Sequence, residues 1–350
     1  MITWDGGGYS VLSWRVFRVN TDTWADGSIL TRVNSASVSR DVSDTPTTVE
    51  RGSMSVDMAV ADSFEEGYYR IVMTADQGGS TERVDVATLL FTSTSSTANR
   101  GVSEAQVSGR SVLYPASVTR LAIGSYAPKG VDGAAFCKEL LDSCVNAPVT
   151  NEGSFTLDDH VVFDIGASTL DCVWMVLNAG NHVLQIGGDG VIHIRPKPTN
   201  PSLVLDIAHA RLLQPEVVHD LDYSEVPNRY IAVSGEMSAM AVNNDPESIT
   251  STVRRGWTSD IVDQSPVRTD GETLAAYAAR RLEEESMVND ARSYTREWWP
   301  DVLPFSLVRG SLSSVGVEGD FRVVSQQLTC GRGIVVEERA SREVYAWRRT

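Results

Sequence analysis

A succession of short β-type segments, each rich in β-branched or aromatic residues, fills the first third of the chain. In one of them Met54, Val56, Met58 and Val60 alternate with polar or small residues, so these four side chains share one face of a strand. Turn-forming clusters separate the segments. Six strands at this spacing favour a small antiparallel barrel or sandwich. The predicted strands are Tyr9–Val19, Ile29–Ser39, Thr47–Ala59, Tyr68–Ala75, Arg83–Thr92 and Val102–Val112.

Helical periodicity begins after Tyr114. Asp132 stands at an N-cap position, and Ser168 with Asp171 has the spacing of a capping box, so we expect a helix after each. A hairpin should follow, because Gly187-Gly188-Asp189-Gly190 can form its turn. The expected helix stripes are Phe136, Leu140, Leu141 and Cys144, then Leu170, Val173, Trp174 and Leu177; the expected hairpin strands are His182–Ile186 and Val191–Arg195.

Strand-like runs resume between Leu203 and Ser234, and a well-marked helix follows them. Thr269 and Glu272 have capping-box spacing, which predicts a helix over about residues 270–288. Its apolar face would contain Leu274, Ala275, Ala278, Ala279 and Leu282. Closing strands are expected at Arg292–Trp299, Asp320–Leu328 and Ile334–Trp347.

Together these patterns predict a mixed, mainly β fold with three domains. The first antiparallel, barrel-like domain would occupy residues 1–115, a small inserted α/β domain residues 116–206, and a second barrel-like domain, with the helix at about 270–288, residues 207–350. No period of 20 to 50 residues repeats in the sequence, so a solenoid or propeller has no support.

The charge and cysteine content restrict the classes of function. Thirty Lys and Arg against 46 Asp and Glu give a net charge of −16, which disfavours sequence-independent binding of DNA or RNA. Four cysteines are too few for a disulfide framework in a chain of this length, so we interpret them as buried thiols. No run reaches the roughly 20 apolar residues of a membrane span, and the first eight residues lack the pattern of a cleaved signal peptide.

Signatures of common enzymes are missing from the sequence, which contains no Gly-x-Ser-x-Gly elbow, His-Glu-x-x-His helix or Walker loop. Asp158-Asp159 is expected in a turn and Glu283-Glu284-Glu285 on a solvated helix face, neither with a pattern that raises a carboxyl pKa. Cys137, Cys144 and Cys172 lack the spacing of a zinc site. We therefore predict no catalytic, cofactor-binding or metal-binding residues.

Two histidines on the expected hairpin, His182 and His193, are candidate metal ligands. If Ile186 pairs with Val191, then Leu184 lies opposite His193 and His182 opposite Arg195. His182 and His193 would then share a face, about 7–8 Å apart, without an evident third ligand. Surface histidines that bind nothing are the preferred interpretation.

The aromatic residues Trp257, Trp298 and Trp299 allow two interpretations. They could stack on sugars, as in a carbohydrate-binding module, or bury surface in cores and subunit contacts. Packing is favoured, because no second stacking cluster is visible.

The second half of the chain contains several motifs in a fixed order. The run from Pro215 to Gly235 contains an aspartate, a short polar turn, Pro227-Asn228 and then a hydrophobic strand. It resembles the segment that introduces the second barrel in the tail hub proteins of tailed bacteriophages. The polar turn at residues 244–252, Arg255-Gly256 and the helix centred on Ala275–Leu282 follow in the same order. Upstream, the helix at Leu170–Asn178 and the hairpin match the inserted α/β part. The resemblance covers about residues 130–300.

This resemblance implies a structural virion protein without enzymatic activity. It implies a homotrimeric ring at the tail tip, made in the host cytoplasm, that closes the tail tube and leaves a lumen through which DNA passes during ejection. The implied partners are the tail tube or distal tail protein, tip, spike or fiber proteins, and the tape measure protein, with no stable membrane association. Two alternatives stay open: a carbohydrate-binding module of a phage tail, and a cell-wall hydrolase.

Overall fold

In a computed structural model, the chain is mainly β across the described residues, which are 2, 4, 8–42, 47–57, 64–99, 102–206, 212–264, 266, 272–313, 317–331 and 333–347. The strands are β1 Ser10–Val19, β2 Asp26–Leu30, β3 Val33–Asp41, β4 Val49–Asp57, β5 Gly67–Gln77, β6 Ser80–Asn99, β7 Val102–Arg110, β8 Tyr126–Ala127, β9 Val149–Asn151, β10 Val161–Val162, β11 His182–Ile186, β12 Ile192–Pro196, β13 Pro201–Leu205, β14 Leu212–Leu221, β15 Arg229–Ser234, β16 Met237–Val242, β17 Asp260–Asp263, β18 Met287–Glu297, β19 Leu307–Leu312, β20 Val317–Cys330 and β21 Ile334–Tyr345. The helices are α1 Tyr114–Val118, α2 Gly133–Asp142, α3 Thr169–Ala179, α4 Thr252–Arg255 and α5 Leu274–Glu285.

Thirteen strands form one large sheet. Its order is β14-β18-β21-β20-β3-β4-β7-β6-β5-β1-β2, with β19 paired to β20 and β13 to β19. The prediction of a mainly β chain is confirmed, but two separate barrels are not. Strands from the two ends of the sequence pair directly, β3 with β20, and the pairing of the described residues leaves the sheet open at β2 and β14. Sequence periodicity reports which face of a strand is buried and carries no information on which strand is its neighbour.

The chain divides into two compact units. Unit 1 contains Met1–Val217 and Tyr294–Ala340, and unit 2 contains Val218–Ser293 and Ser341–Thr350. The three-domain division, with boundaries near residues 115 and 206, stays a prediction.

Alternating apolar residues build the core of the sheet in unit 1. Met54 and Val56 are fully buried, as their shared face predicts, and pack in a cluster with Ile71, Leu89 and Phe91. Met58 and Val60 lie outside the described residues. The predicted strand Ile29–Ser39 is wrong in one respect: it is two strands, because the chain turns at Thr31-Arg32, where Arg32 has a φ of 61°.

Two ion pairs are buried within unit 1. Arg40 lies 2.6 Å from Glu50, and both side chains are inaccessible to solvent. Arg296 and Glu338 form the second pair, at 2.5 Å. Glu338 also accepts hydrogen bonds of 2.6 Å from the Tyr294 hydroxyl and from the Gln326 amide, so both of its oxygens are occupied.

The α/β region of unit 1 folds around the helices predicted for it. Asp132 accepts a 3.0 Å hydrogen bond from the backbone N–H of Ala134, and Ser168 and Asp171 form the reciprocal capping box, so both predicted caps are confirmed. The helices α2 and α3 share a core with a sheet of order β11-β12-β9. Its buried residues include Cys137, Leu141, Cys172, Val176, Leu184 and Ile192.

The glycine-rich turn of this region docks on the large sheet. The Arg70 guanidinium and the Trp24 indole both donate to the carbonyl oxygen of Asp189, each at 2.8 Å. The hydroxyl of Thr88 donates to the carbonyl oxygen of Gly188 at 3.0 Å. A methyl group on Gly188 would overlap the carbonyl oxygen of Asp85, which explains why glycine occupies this position.

Unit 2 contains a three-stranded sheet of order β16-β15-β17 with α5 packed on one face. The helix begins four residues later than Thr269 would place it and ends at Glu285 rather than near Val288. Thr273 is the N-cap and accepts a 3.1 Å hydrogen bond from Ala276 N–H. Glu272 pairs with Arg280 at 2.9 Å instead of closing a capping box, and Thr269 lies outside the described residues. No helix among the described residues is long and apolar enough to cross a membrane.

Candidate assembly surface

The residues that carried the sequence resemblance act as hydrogen-bonding clamps in unit 2. Asn228, fully buried between Pro227 and β15, donates its side-chain amide to the carbonyl oxygen of Trp257 at 3.0 Å and accepts from Ser259 N–H at 2.9 Å. It thereby ties the start of β15 to the segment that precedes β17. The Pro-Asn motif is therefore a structural feature that aligns two strands.

The polar turn after β16 has a second buried asparagine at its centre. The side-chain amide of Asn243 donates to the hydroxyl of Ser248 at 2.9 Å and to that of Thr250 at 3.3 Å. Ser251 then caps α4 by accepting from Arg254 N–H. These hydroxyl and amide residues satisfy one another inside the turn, which is what buried polar groups require.

Arg255 and Gly256 end α4 and hold the chain that precedes β15. The guanidinium of Arg255 donates to the carbonyl oxygen of Val226 at 2.6 Å and lies 4.7 Å from the centre of the Trp257 ring. Gly256 has a φ of 71°, the left-handed conformation that favours glycine after a helix. The Arg-Gly pair therefore fixes a sharp turn.

A partly buried acid on β17 joins α5 to the sheet. The hydroxyls of Tyr277 and Tyr230 both donate to Asp263, at 2.6 and 3.0 Å. The hydrogen bond to Asp263 raises the pKa of Tyr277 to about 12, so its hydroxyl stays a donor at neutral pH. Ala278 and Leu282 complete the contact between the helix and this face of the sheet.

The opposite face of the sheet, which we call the open face, carries an apolar row. Ile231 on β15 is directly flanked by Met240 on β16 and Val262 on β17, which are 58% and 54% exposed. Since β15 pairs with β17 in parallel, and parallel strands are usually covered on both faces, this exposure is typical of a surface that meets another protein.

An ion pair borders the apolar row of the open face. Arg229 and Asp260 face each other in register and form two hydrogen bonds, one of them 2.7 Å long from Nε to Oδ1. These bonds hold the pKa of the Asp260 carboxyl below its usual range. The pair neutralises its own charge, so this part of the face presents no net charge to a partner.

The two hairpin histidines do not share a face. Gln185, not Leu184, pairs with His193, and His182 pairs with Pro196, because Ile186 pairs with Ile192 rather than with Val191. Val191 stays in the turn, where its N–H donates to the Asp189 carboxylate at 3.0 Å. His182 is buried with its ring centre 4.4 Å from that of Phe155, whereas His193 contacts Glu152 at 2.6 Å.

The cysteines are free thiols, and Glu284 of the acidic run 283–285 is held in ion pairs within α5. All four cysteines are free thiols, and burial raises the pKa of Cys137 and Cys330, which keeps them protonated. Glu284 is paired with Arg280 at 2.8 Å and with Arg281 at 2.7 Å. Among the residues described, no group of three or more His, Cys, Asp or Glu side chains is arranged to hold a metal ion.

The three tryptophans do not form a sugar platform. Trp298 is 1% exposed and lies in the core of unit 1, and Trp299 packs against another apolar cluster of that unit. Trp257 in unit 2 is half exposed, with the Arg255 guanidinium over its ring. Sequence reasoning did not find the open face, because its apolar row joins residues of three strands whose pairing the sequence does not show.

Comparison with known proteins yields structural matches only: no family model and no curated protein sequence matches the chain. A tail protein from Neisseria meningitidis MC58 is similar with a TM-score of 0.62 and 14% identity, over 96% of this chain and 97% of the other. The 43 kDa tail protein of prophage MuSo2 from Shewanella oneidensis gives 0.62 and 12%, over 96% and 99%. A chain of the Francisella PdpA–VgrG complex gives 0.54 and 9%, over 97% of this chain and 60% of the other.

The chain therefore has the fold of phage tail proteins along nearly its whole length. The resemblance inferred from the ordered motifs of residues 130–300 is confirmed at the level of the fold, and it extends over the first β-rich region as well.

Proposed function

We propose that the chain is a structural protein of a phage tail, located in the virion, that forms a homotrimeric hub at the tail tip. The observation that carries this proposal is that the structural similarity to two tail proteins, one of them from a prophage, covers nearly all of both chains: 96% of this chain and 97% of the other, and 96% and 99%. Because nearly all of each compared chain is covered, the similarity extends over whole chains and not over one widely used domain.

The open edges of the large sheet support a ring. An edge strand presents backbone N–H and C=O groups that lack strand partners, and native proteins usually cover or shorten such edges. We assign the covering of β2 and β14 to neighbouring copies, so that barrel-like tube domains are completed only in the assembly. Two β-rich parts in each of three copies would then match a hexameric tube.

The charge supports a passage for DNA rather than a binding site. With a net charge of −16 per chain, a trimer carries three times that charge, and acidic walls repel phosphates. The hub would join the tail tube or distal tail protein to tip, spike or fiber proteins, with the tape measure protein as a further partner. It would have no catalytic role.

Native mass spectrometry tests the trimer, with an expected mass of three times 38.1 kDa. A closed ring with another number of copies contradicts the proposal.

A reconstruction of assembled tails should show three copies at one end of the tube, and their absence from the tail overturns the structural role. Lysis of host cell walls by the purified chain would favour the hydrolase alternative instead.

A further inference from the structure

The α/β region of unit 1 presents an exposed apolar tip. We call Ile123, Tyr126, Val162 and Ile165 the insert tip. Their exposed fractions are 83%, 49%, 68% and 83%, high values for large apolar side chains. Isolated exposed apolar residues are ordinary, but a contiguous group of them marks an interaction surface.

Strand pairing joins two of these residues and brackets the other two. Tyr126 on β8 pairs directly with Val162 on β10. Beyond them an isolated bridge between Arg120 and Ser168 keeps the same antiparallel register. Ile123 lies in the turn closed by the hydrogen bond from Ser125 N–H to the Ala122 carbonyl oxygen, and Ile165 lies in the turn closed from Ala167 N–H to the Asp164 carbonyl oxygen. Both turns fall between the two paired positions, so the four exposed apolar residues occupy adjoining segments of the same region.

Acidic side chains outnumber basic ones around the insert tip. Asp158, Asp159 and Asp164 are exposed in the chain segments that flank β10. Arg120 and Lys129 are the basic residues in the segments that flank β8, and Arg120 donates to the carbonyl oxygen of Ser117 at 3.0 Å. A partner with arginine beside apolar surface would complement this rim.

A groove that has arginines beside apolar surface lies at the β2 edge of the large sheet. Its volume is about 390 Å³, and Trp14, Ile29, Leu30 and Val33 supply its apolar walls. Ile29 is 45% exposed. We call it the β2 groove; its remaining lining residues are Arg15, Val16, Thr31 and Arg32.

The charge of the β2 groove is opposite to that of the insert tip. Arg15 and Arg32 are both exposed at its rim. Arg32 is paired with Asp57, whose carboxylate is 4.0 Å from Nε of Arg32, and both side chains are about half exposed. Such a loose exposed pair is worth little and leaves the arginine available to another carboxylate.

We infer that the insert tip of one copy docks in the β2 groove of the next copy, an inference that rests on the proposed ring. Two insert tips facing each other would bring six aspartates together, whereas tip against groove brings aspartates to arginines. A contact between different surfaces of identical chains is head-to-tail, and such contacts give a ring when the rotation from one copy to the next closes. The same contact places a neighbouring copy beside the open edge strand β2.

Surface variants test the contact without affecting the fold. In the full chain, Ile123→Ser with Ile165→Ser should raise the dissociation constant of the assembly at least tenfold in analytical ultracentrifugation. Ile29→Glu in the β2 groove should do the same. Val253→Ser, which changes an apolar residue of unit 2 that is 62% exposed, is the control and should assemble like the wild type. Circular dichroism should show unchanged folding in all three.

Mixing and charge reversal separate this contact from other ways of making a ring. A mixture of the insert-tip variant (Ile123→Ser with Ile165→Ser) and the β2-groove variant (Ile29→Glu) should give dimers and no closed ring. In a mixed dimer, the intact tip of the groove variant binds the intact groove of the tip variant, and no further contact can form. Reversal of Asp158, Asp159 and Asp164 to lysine, or of Arg15 and Arg32 to glutamate, should weaken assembly, and both reversals in one chain should restore it.

Each negative result leads to a different conclusion. If the insert-tip variant forms trimers as stable as those of the wild type, this contact is wrong and the proposed hub is unaffected. Combined reversals that assemble no better than either alone also overturn it. A wild-type chain that neither self-associates nor occurs in tails overturns the contact and the proposed function together.

Discussion

Charged side chains serve different purposes in the core and on the surface of this protein. Arg296 and Glu338 are inaccessible to solvent and bonded to each other, so the free energy of their burial depends on the pair being complete. Burial, aided by the charge of Glu338, raises the pKa of Tyr294 well above its usual range, and its hydroxyl remains a donor to the carboxylate. Arg309 and Asp320, in contrast, form an exposed pair at 2.7 Å.

Removing one partner of the buried pair should be costly. In Glu338→Ala, the Arg296 guanidinium loses its counter-charge in a site without solvent, and we expect a loss of about 3–5 kcal/mol in the free energy of unfolding. Urea unfolding measures it. Asp320→Ala at the exposed pair is the control and should change stability far less. Equal effects in the two variants would contradict the role of burial.

The ion pair of the open face gives a prediction for pH. Its contribution to stability is present above the ordinary pKa of aspartate and is lost as the pH falls through the lowered pKa of Asp260. In Arg229→Met, the pKa of Asp260 should rise toward the ordinary value, because the two guanidinium hydrogen bonds are gone. NMR titration of the carboxyl carbon measures this. An unchanged pKa would mean that the pair is not formed in solution.

At the scale of elements, one glycine-rich turn contributes several of the hydrogen bonds between the α/β region and the large sheet. The turn at residues 187–190 presents carbonyl oxygens to three side chains of the sheet region, Trp24, Arg70 and Thr88. Gly190 has a φ of 77°, and its missing side chain leaves room for Thr88. The glycines therefore serve close approach as much as the hairpin turn.

Gly188→Ala should disrupt this attachment. The added methyl group meets the backbone of Asp85, which cannot move aside as a flexible side chain could, and we expect a loss at the upper end of about 1–3 kcal/mol. Thermal unfolding measures the loss. Gly333→Ala is the matched control, because nothing lies within 4 Å of its added methyl group. A melting temperature unchanged in both variants would show that the turn is not closely packed.

At the scale of the whole molecule, the protein combines a large sheet with open edges and two exposed apolar surfaces, the open face and the insert tip. A chain with these features is stable as a folded unit through its buried clusters, yet it keeps surfaces that other chains can cover. This is the physical basis for a role in assembly.

Hydrogen exchange should detect covering of the sheet edge. In the free chain, backbone amides of β2 at the edge should exchange faster than those of β4 and β7, which have strand partners on both sides. In the assembled ring, exchange of the β2 amides should slow by at least tenfold, while that of β4 and β7 stays low. Exchange of β2 that does not change on assembly would place the neighbouring copy elsewhere.

The sequence by itself determined the local structure. The caps at Asp132 and Ser168 follow from hydrogen-bonding groups placed within three residues of a helix start, and the buried face of β4 follows from alternation. Tertiary structure decided the pairing of β3 with β20, the one-residue shift that separates His182 from His193, and the surfaces made from several strands. Local signals act within a few residues, whereas pairing is selected by the total free energy of the folded chain.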